Sequence, residues 1–76
     1  SLGSDTYGRT YTTADSVTDK VVIKINASGS TSVSVSGFFD NGTTVRNHYD
    51  NTTAVVANGA VTFTASNGVI LIEKAD

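Results

Sequence analysis

Seven carboxylates, Asp5, Asp15, Asp19, Asp40, Asp50, Glu73 and Asp76, and one histidine, His48, are the groups of this chain with acid–base potential. Two carboxyls about 5 to 9.5 Å apart are what glycoside hydrolysis requires, one as general acid and the other as base or nucleophile. Here Asp15, Asp19, Asp40 and Asp50 stand among Ser, Thr, Asn and Gly, where an Asp side chain accepts hydrogen bonds from backbone amides two residues on. They read as turn residues, and no catalytic residue is expected. His48 has no second His and no Cys to join it, so neither a zinc site nor a Ser-His-Asp arrangement forms by spacing, and it reads as a surface or edge histidine. Asp40-Asn41-Gly42-Thr43 opens like a calcium loop but lacks the closing bidentate Glu, so neither metal nor cofactor is expected.

The aromatic residues offer a different chemistry. A Tyr or Phe ring gives a sugar a flat apolar face, and Tyr adds a polar edge. Tyr7, Tyr11, Phe38 and Tyr49 are therefore the candidate carbohydrate-binding residues, weighed against the demand of a small core for Phe and Tyr in a chain without Trp. Asn26, Asn41 and Asn51 each begin an N-glycosylation acceptor pattern, which carries meaning only in a eukaryotic secretory pathway.

Strands must position these groups. Asn41-Gly42, Asn58-Gly59 and Asn67-Gly68 separate short runs that alternate apolar residues with Ser or Thr, and Asn-Gly is the strongest short-range hairpin signal because both residues tolerate positive φ. Each pair is expected to reverse one strand into the next. Lys20–Asn26 is an expected strand with Val21, Ile23 and Ile25 on one face, and Ile23 is taken as core with Val35 and Phe63. Val33 and Val35 of the Thr31–Ser36 run point inward by the same period. Gly37 ends that run, and of the adjacent Phe38 and Phe39 one is expected to face outward. Further strands are expected over 7–13, 43–49, 53–57 and 60–65. Val69-Ile70-Leu71-Ile72 is apolar at every position, so both of its faces want cover. No stretch has the three-and-four spacing of a helix. The expected fold is all-β, a small antiparallel Greek-key sandwich of about six to eight short strands. Residues 1–6 read as a linker or cloning remnant, and 7–76 as a single domain.

Size and charge narrow the function. A domain of 76 residues buries only about 60% of its unfolded surface, and without Cys it has no disulfide to compensate, so a partner domain covering one face is a natural source of stability. A net charge of −2 and pI near 5.0 argue against nucleic acid, which calls for clustered Lys and Arg. No apolar run reaches the roughly 18 residues that span a bilayer, so no membrane partner is expected. The abundance of Ser, Thr and Asn fits an extracellular or secreted protein.

From Val33 onward the order of motifs has a counterpart. Ser36-Gly37-Phe38, Asn41-Gly42-Thr43-Thr44-Val45, Tyr49, Ala54-Val55-Val56, Asn58-Gly59-Ala60-Val61-Thr62-Phe63 and Gly68-Val69-Ile70-Leu71-Ile72-Glu73 together resemble the C-terminal β-sandwich domain of bacterial α-amylases, glycoside hydrolase family 13. The match covers residues 33–73. Asn47 stands where that family often has Asp, and Asp50-Asn51 replaces its usual Ser-Gly or Asn-Gly turn. The resemblance implies a domain excised from an enzyme that hydrolyses α-1,4-glucan, with the catalytic residues in a (β/α)₈ barrel of about 250 residues. The fragment itself would be non-catalytic, its partner would be that barrel in the same polypeptide, and accessory contact with α-glucan is a further possibility. Ile70 and Ile72 are the candidate barrel-interface residues, with Val69 and Leu71 as the other pair. A carbohydrate-binding module and an immunoglobulin-like spacer are the alternatives.

Overall fold

The computed structural model describes residues 5–12, 18–65 and 67–75. They form seven strands: β1 (Thr6–Thr12), β2 (Thr18–Ile25), β3 (Gly29–Ser34), β4 (Thr44–Asn47), β5 (Thr53–Val55), β6 (Ala60–Ala65) and β7 (Val69–Lys74). Five make one sheet in the order β1-β2-β7-β4-β5, β3 and β6 make a second, and every pairing is antiparallel. The fold is all-β. Consecutive strands β4, β5 and β6 followed by a β7 that returns beside β4 give the spatial order of a Greek key, with the Ala57–Ala60 bridge closing the turn that carries the chain from β5 to β6 in the other sheet.

β1 starts at Thr6, which pairs with Lys24 and is buried, and Asp5 accepts the Ile25 N–H at 2.9 Å. Residues 5 and 6 therefore belong to the domain, not to a preceding linker. The expected turn residue Asp15 lies outside the described residues. Asp19 is in β2 opposite Tyr11, so it is a strand residue and not a turn residue.

The three Asn-Gly pairs do not sit at the in-sheet hairpins. Asn41-Gly42 lies between β3 and β4, Asn58-Gly59 between β5 and β6, and Asn67-Gly68 between β6 and β7, so each marks a passage of the chain from one sheet to the other. Only Asn58-Gly59 has both residues at positive φ, 54° and 73°, with Ala57 and Ala60 exchanging two backbone hydrogen bonds. That is the geometry of a type I′ turn. The in-sheet reversal from β4 to β5 is made instead by residues 48–52, with Asn51 at φ 62°.

Burial follows the strand period, but in the opposite phase to that expected for β2. Val22 is fully buried, facing Ile70 and Ile72 of β7, Val45 of β4, Val33 of β3, Val61 and Phe63 of β6, and Val35, Phe39 and Val56 from the loops. Val33, Val35 and Phe63 are thus core as expected. Val21, Ile23 and Ile25 share a face, but it is the outer one. The phase is fixed by the register Val22↔Ile72 and Ile23↔Leu71: both partners of a pair point the same way, and β7 turns Ile70 and Ile72 inward. Sequence alternation alone cannot choose between Lys20, Val22, Lys24 and Val21, Ile23, Ile25, and the more apolar set is not the buried one.

Phe38 and Phe39 are not in a bulged strand. Both of their N–H groups donate to the Val35 carbonyl at 3.0 Å in a tight turn, which sends Phe39 into the core and leaves Phe38 half-buried. The Phe38 ring lies against Gly8, where a Cβ would collide with the ring's outer edge, Cζ, Cε1 and Cε2.

Asn47, at 0% exposure, is the most buried polar side chain among the described residues, with Thr6 next. Its Oδ1 accepts the Tyr49 N–H at 3.1 Å and the Leu71 N–H at 3.4 Å, while its Nδ2 has no partner among the described residues. Two backbone donors converging on one atom fix the amide orientation, because a flip would set Nδ2 against them.

Candidate functional site

The two sheets have unlike outer faces. On β3 and β6 the exposed outward residues are Ser30, Ser32, Thr62 and Thr64, all hydroxyls, with the half-buried Ser34–Ala60 pair ending the row. On the five-stranded sheet the register aligns Tyr7, Ile23 and Leu71 in one row across β1, β2 and β7, with Ile25 and Val69 in the row beside it. Strands about 4.8 Å apart and same-face residues about 6.8 Å apart along each strand make these side chains neighbours. Ile23, Ile25, Val69 and Leu71 are only half-buried, Tyr7 is 49% exposed, and among the described residues no second layer packs on this side of the sheet.

The row on the other side of Tyr7–Ile23–Leu71 is charged: Arg9, Val21, Glu73, Arg46 and Thr53 follow one another across β1, β2, β7, β4 and β5. Glu73 Oε1 lies 2.8 Å from His48 Nδ1, an exposed contact at the margin of the face. The surface is therefore an apolar centre bounded on one side by charge. That is the composition of a docking patch, an apolar core with a polar rim.

The residues singled out from the sequence are dispersed. Ile70 and Ile72 are at 0% exposure in the core, so a surface contact through β7 falls to Val69 and Leu71, the pair of opposite phase. Tyr7 belongs to the outer apolar face. Tyr49 is 51% exposed in the β4–β5 loop, where its N–H is held by Asn47. Phe38 lies against Gly8, which pairs with the inward Val22, so its ring is on the inner side of the sheet and away from Tyr7. The Tyr11 backbone pairs with Asp19, and its side chain lies outside the described residues. Tyr7, Phe38 and Tyr49 do not form one coplanar platform. Ile23, central to the face, escapes the sequence reading because its alternation places it in the core, whereas its partner Leu71 is already one of the alternative interface pair with Val69.

A cleft of about 250 Å³ opens at one end of the sandwich between Asp19, Lys20, Asp40 and Lys74, walled by Phe38 and Phe39. General acid catalysis by a carboxyl calls for shielding from water, and both Asp19 and Asp40 are exposed. Asp50 plays the turn role expected of it: its Oδ1 accepts the Thr52 hydroxyl at 2.6 Å and the Thr52 N–H at 3.0 Å. These bonds, the hydroxyl's foremost, hold its carboxyl below the ordinary 3.8. Among the described residues no three His, Cys, Asp or Glu side chains gather in a metal-binding group.

No family model matches this chain, and neither a curated protein nor a solved structure does.

Proposed function

We propose that this chain is the non-catalytic C-terminal β-sandwich domain of an α-amylase-type glycoside hydrolase, docking on the catalytic barrel and stabilising it. The observation that carries the docking is the uncovered apolar face of the five-stranded sheet, centred on Ile23 and Leu71. A chain of this size gains from burying that face, because its own core is thin. The enzyme class comes from the resemblance of residues 33–73, whose Gly42-Thr43-Thr44-Val45 leads into β4, whose Asn58-Gly59 is the I′ turn, and whose Val69–Glu73 forms most of β7.

The test is made in the polypeptide that carries this domain. Ile23→Asp combined with Leu71→Asp should leave starch hydrolysis at low temperature near the wild-type rate and shorten the half-life of the activity on heating several-fold. An unchanged half-life would overturn the docking role. A second reading, accessory contact with α-glucan, draws on the exposure of Tyr7 and Tyr49. Titrating the 76-residue chain with maltoheptaose while following amide NMR shifts tests it: saturable shifts around either Tyr support glucan contact, and a flat response at millimolar ligand leaves the structural role alone.

A further inference from the structure

The three Asn-Gly pairs differ in what holds the glycine nitrogen. Gly42 N–H donates to the Val56 carbonyl at 2.8 Å, and Gly59 N–H donates to Asn41 Oδ1 at 2.8 Å. Gly68 makes its hydrogen bond through its carbonyl, which accepts the Ala27 N–H at 2.9 Å, while its own N–H has no acceptor among the described residues. Asn67 is exposed. The nitrogen after an asparagine is the nucleophile of spontaneous deamidation, and a following glycine has no side chain to hinder its approach. A nitrogen committed to a hydrogen bond is both less acidic and held away from the side-chain carbon.

We infer that Asn67 is the site at which the folded chain deamidates through a cyclic imide, while Asn41 and Asn58 are guarded. The Gly68 nitrogen gives up its proton to solvent base and attacks Asn67 Cγ. The Cγ–Nδ2 bond breaks, and ammonia leaves with a proton returned by water. One water molecule then opens the imide at either carbonyl, giving aspartate or isoaspartate. The net change is addition of water and loss of ammonia, with no oxidant or reductant.

The product matters because of where it forms. Isoaspartate inserts a backbone carbon between residues 67 and 68, immediately before β7, the strand that lies between β2 and β4. The Gly68 carbonyl that ties this crossing to Ala27 is displaced, and either product adds a negative charge to a chain of net −2. Modification at Asn67 is thus a timer on the crossing that feeds the sheet's central strand.

The experiment incubates the folded chain in warm, mildly alkaline buffer, with a parallel sample in urea, and follows the three Asn-Gly peptides by mass spectrometry. Conversion at Asn67 at least tenfold faster than at Asn41 or Asn58 in the folded sample, with the three rates converging in urea, is the expected result. Equal rates in the folded chain, or an Asn67 that converts only in urea, would overturn the inference. Asn41→Ala removes the acceptor of the Gly59 N–H. In that variant, shown folded by its amide spectrum, Asn58 should begin to convert, and an Asn58 that stays intact would overturn the hydrogen-bond guard.

Discussion

Asn41 Oδ1 accepts the Gly59 N–H at 2.8 Å across 18 residues of chain, joining the turn that leads into β4 to the turn that leads into β6. Two neighbouring bonds close the same knot, Val35 N–H to the Gly59 carbonyl and Gly42 N–H to the Val56 carbonyl. The two crossings from sheet to sheet are thereby held against each other at one end of the sandwich, and the strands they feed are set in register. Gly59 is needed there twice over: its φ is 73°, and a Cβ would meet that of Ser36 at 3.3 Å.

Asn41→Ala should lower stability by about 1 kcal/mol, the usual net worth of such a bond, read as a lower urea midpoint with an unchanged slope. Asn41→Asp keeps the acceptor and should lie closer to wild type. Equal losses in both variants would show that the bond to Gly59 contributes nothing.

The phase of β2 is tested by neighbouring substitutions. Val22→Ala empties a fully buried site and should cost about 2 kcal/mol or more, as deletions from packed cores do. Ile23→Ala removes more carbon from the half-buried outer face, yet in the isolated chain it should cost less. Denaturant midpoints in the reverse order would place Ile23 in the core and invert the sheet.

Gly8→Ala should be destabilising although a strand accepts alanine, because the added carbon collides with the Phe38 ring. Phe38→Ala removes the obstacle at its own cost in packing. The double variant should therefore be more stable than the sum of the two losses predicts, with a coupling of about 1 kcal/mol by double-mutant cycle. Strict additivity would mean that the ring does not lie over Gly8.

Asp50 gives the chain a defined acid dependence. Its folded pKa is depressed below 3.8, first by the Thr52 hydroxyl and then by the Thr52 N–H. A depressed carboxyl contributes stability that is present above its unfolded value and lost as pH falls through the folded one. The carboxyl is at the surface, so the effect is small. NMR titration of the Asp50 side chain should find its midpoint below 3.8, and Thr52→Val should move that midpoint upward. A midpoint unmoved by Thr52→Val would remove the hydroxyl as the cause.

Local pattern made much of the fold legible. The alternation of Val33 and Val35, the β-branched runs and the absence of helical spacing depend only on residue order, and each strand from β2 to β7 lies within two residues of its expected end or start. Asp50 was legible for the same reason, since its partners are two residues away. Asn47 was not: its two donors come from Tyr49 and from Leu71, and the second is 24 residues distant.

The residue order by itself determined that this protein is all-β, with turns at its Asn-Gly pairs and a β7 that is apolar at every position from Val69 to Ile72. Only the tertiary structure decided which of its sides lines the core. A strand's two faces are interchangeable until its neighbours fix the register. Here the pairing of Val22 with Ile72 sends Ile70 and Ile72 inward and leaves Ile23, Val69 and Leu71 facing out. The same holds for the turns: Asn-Gly chemistry specifies a reversal, but whether the chain returns to its own sheet or crosses to the other depends on distant partners such as Gly59 for Asn41.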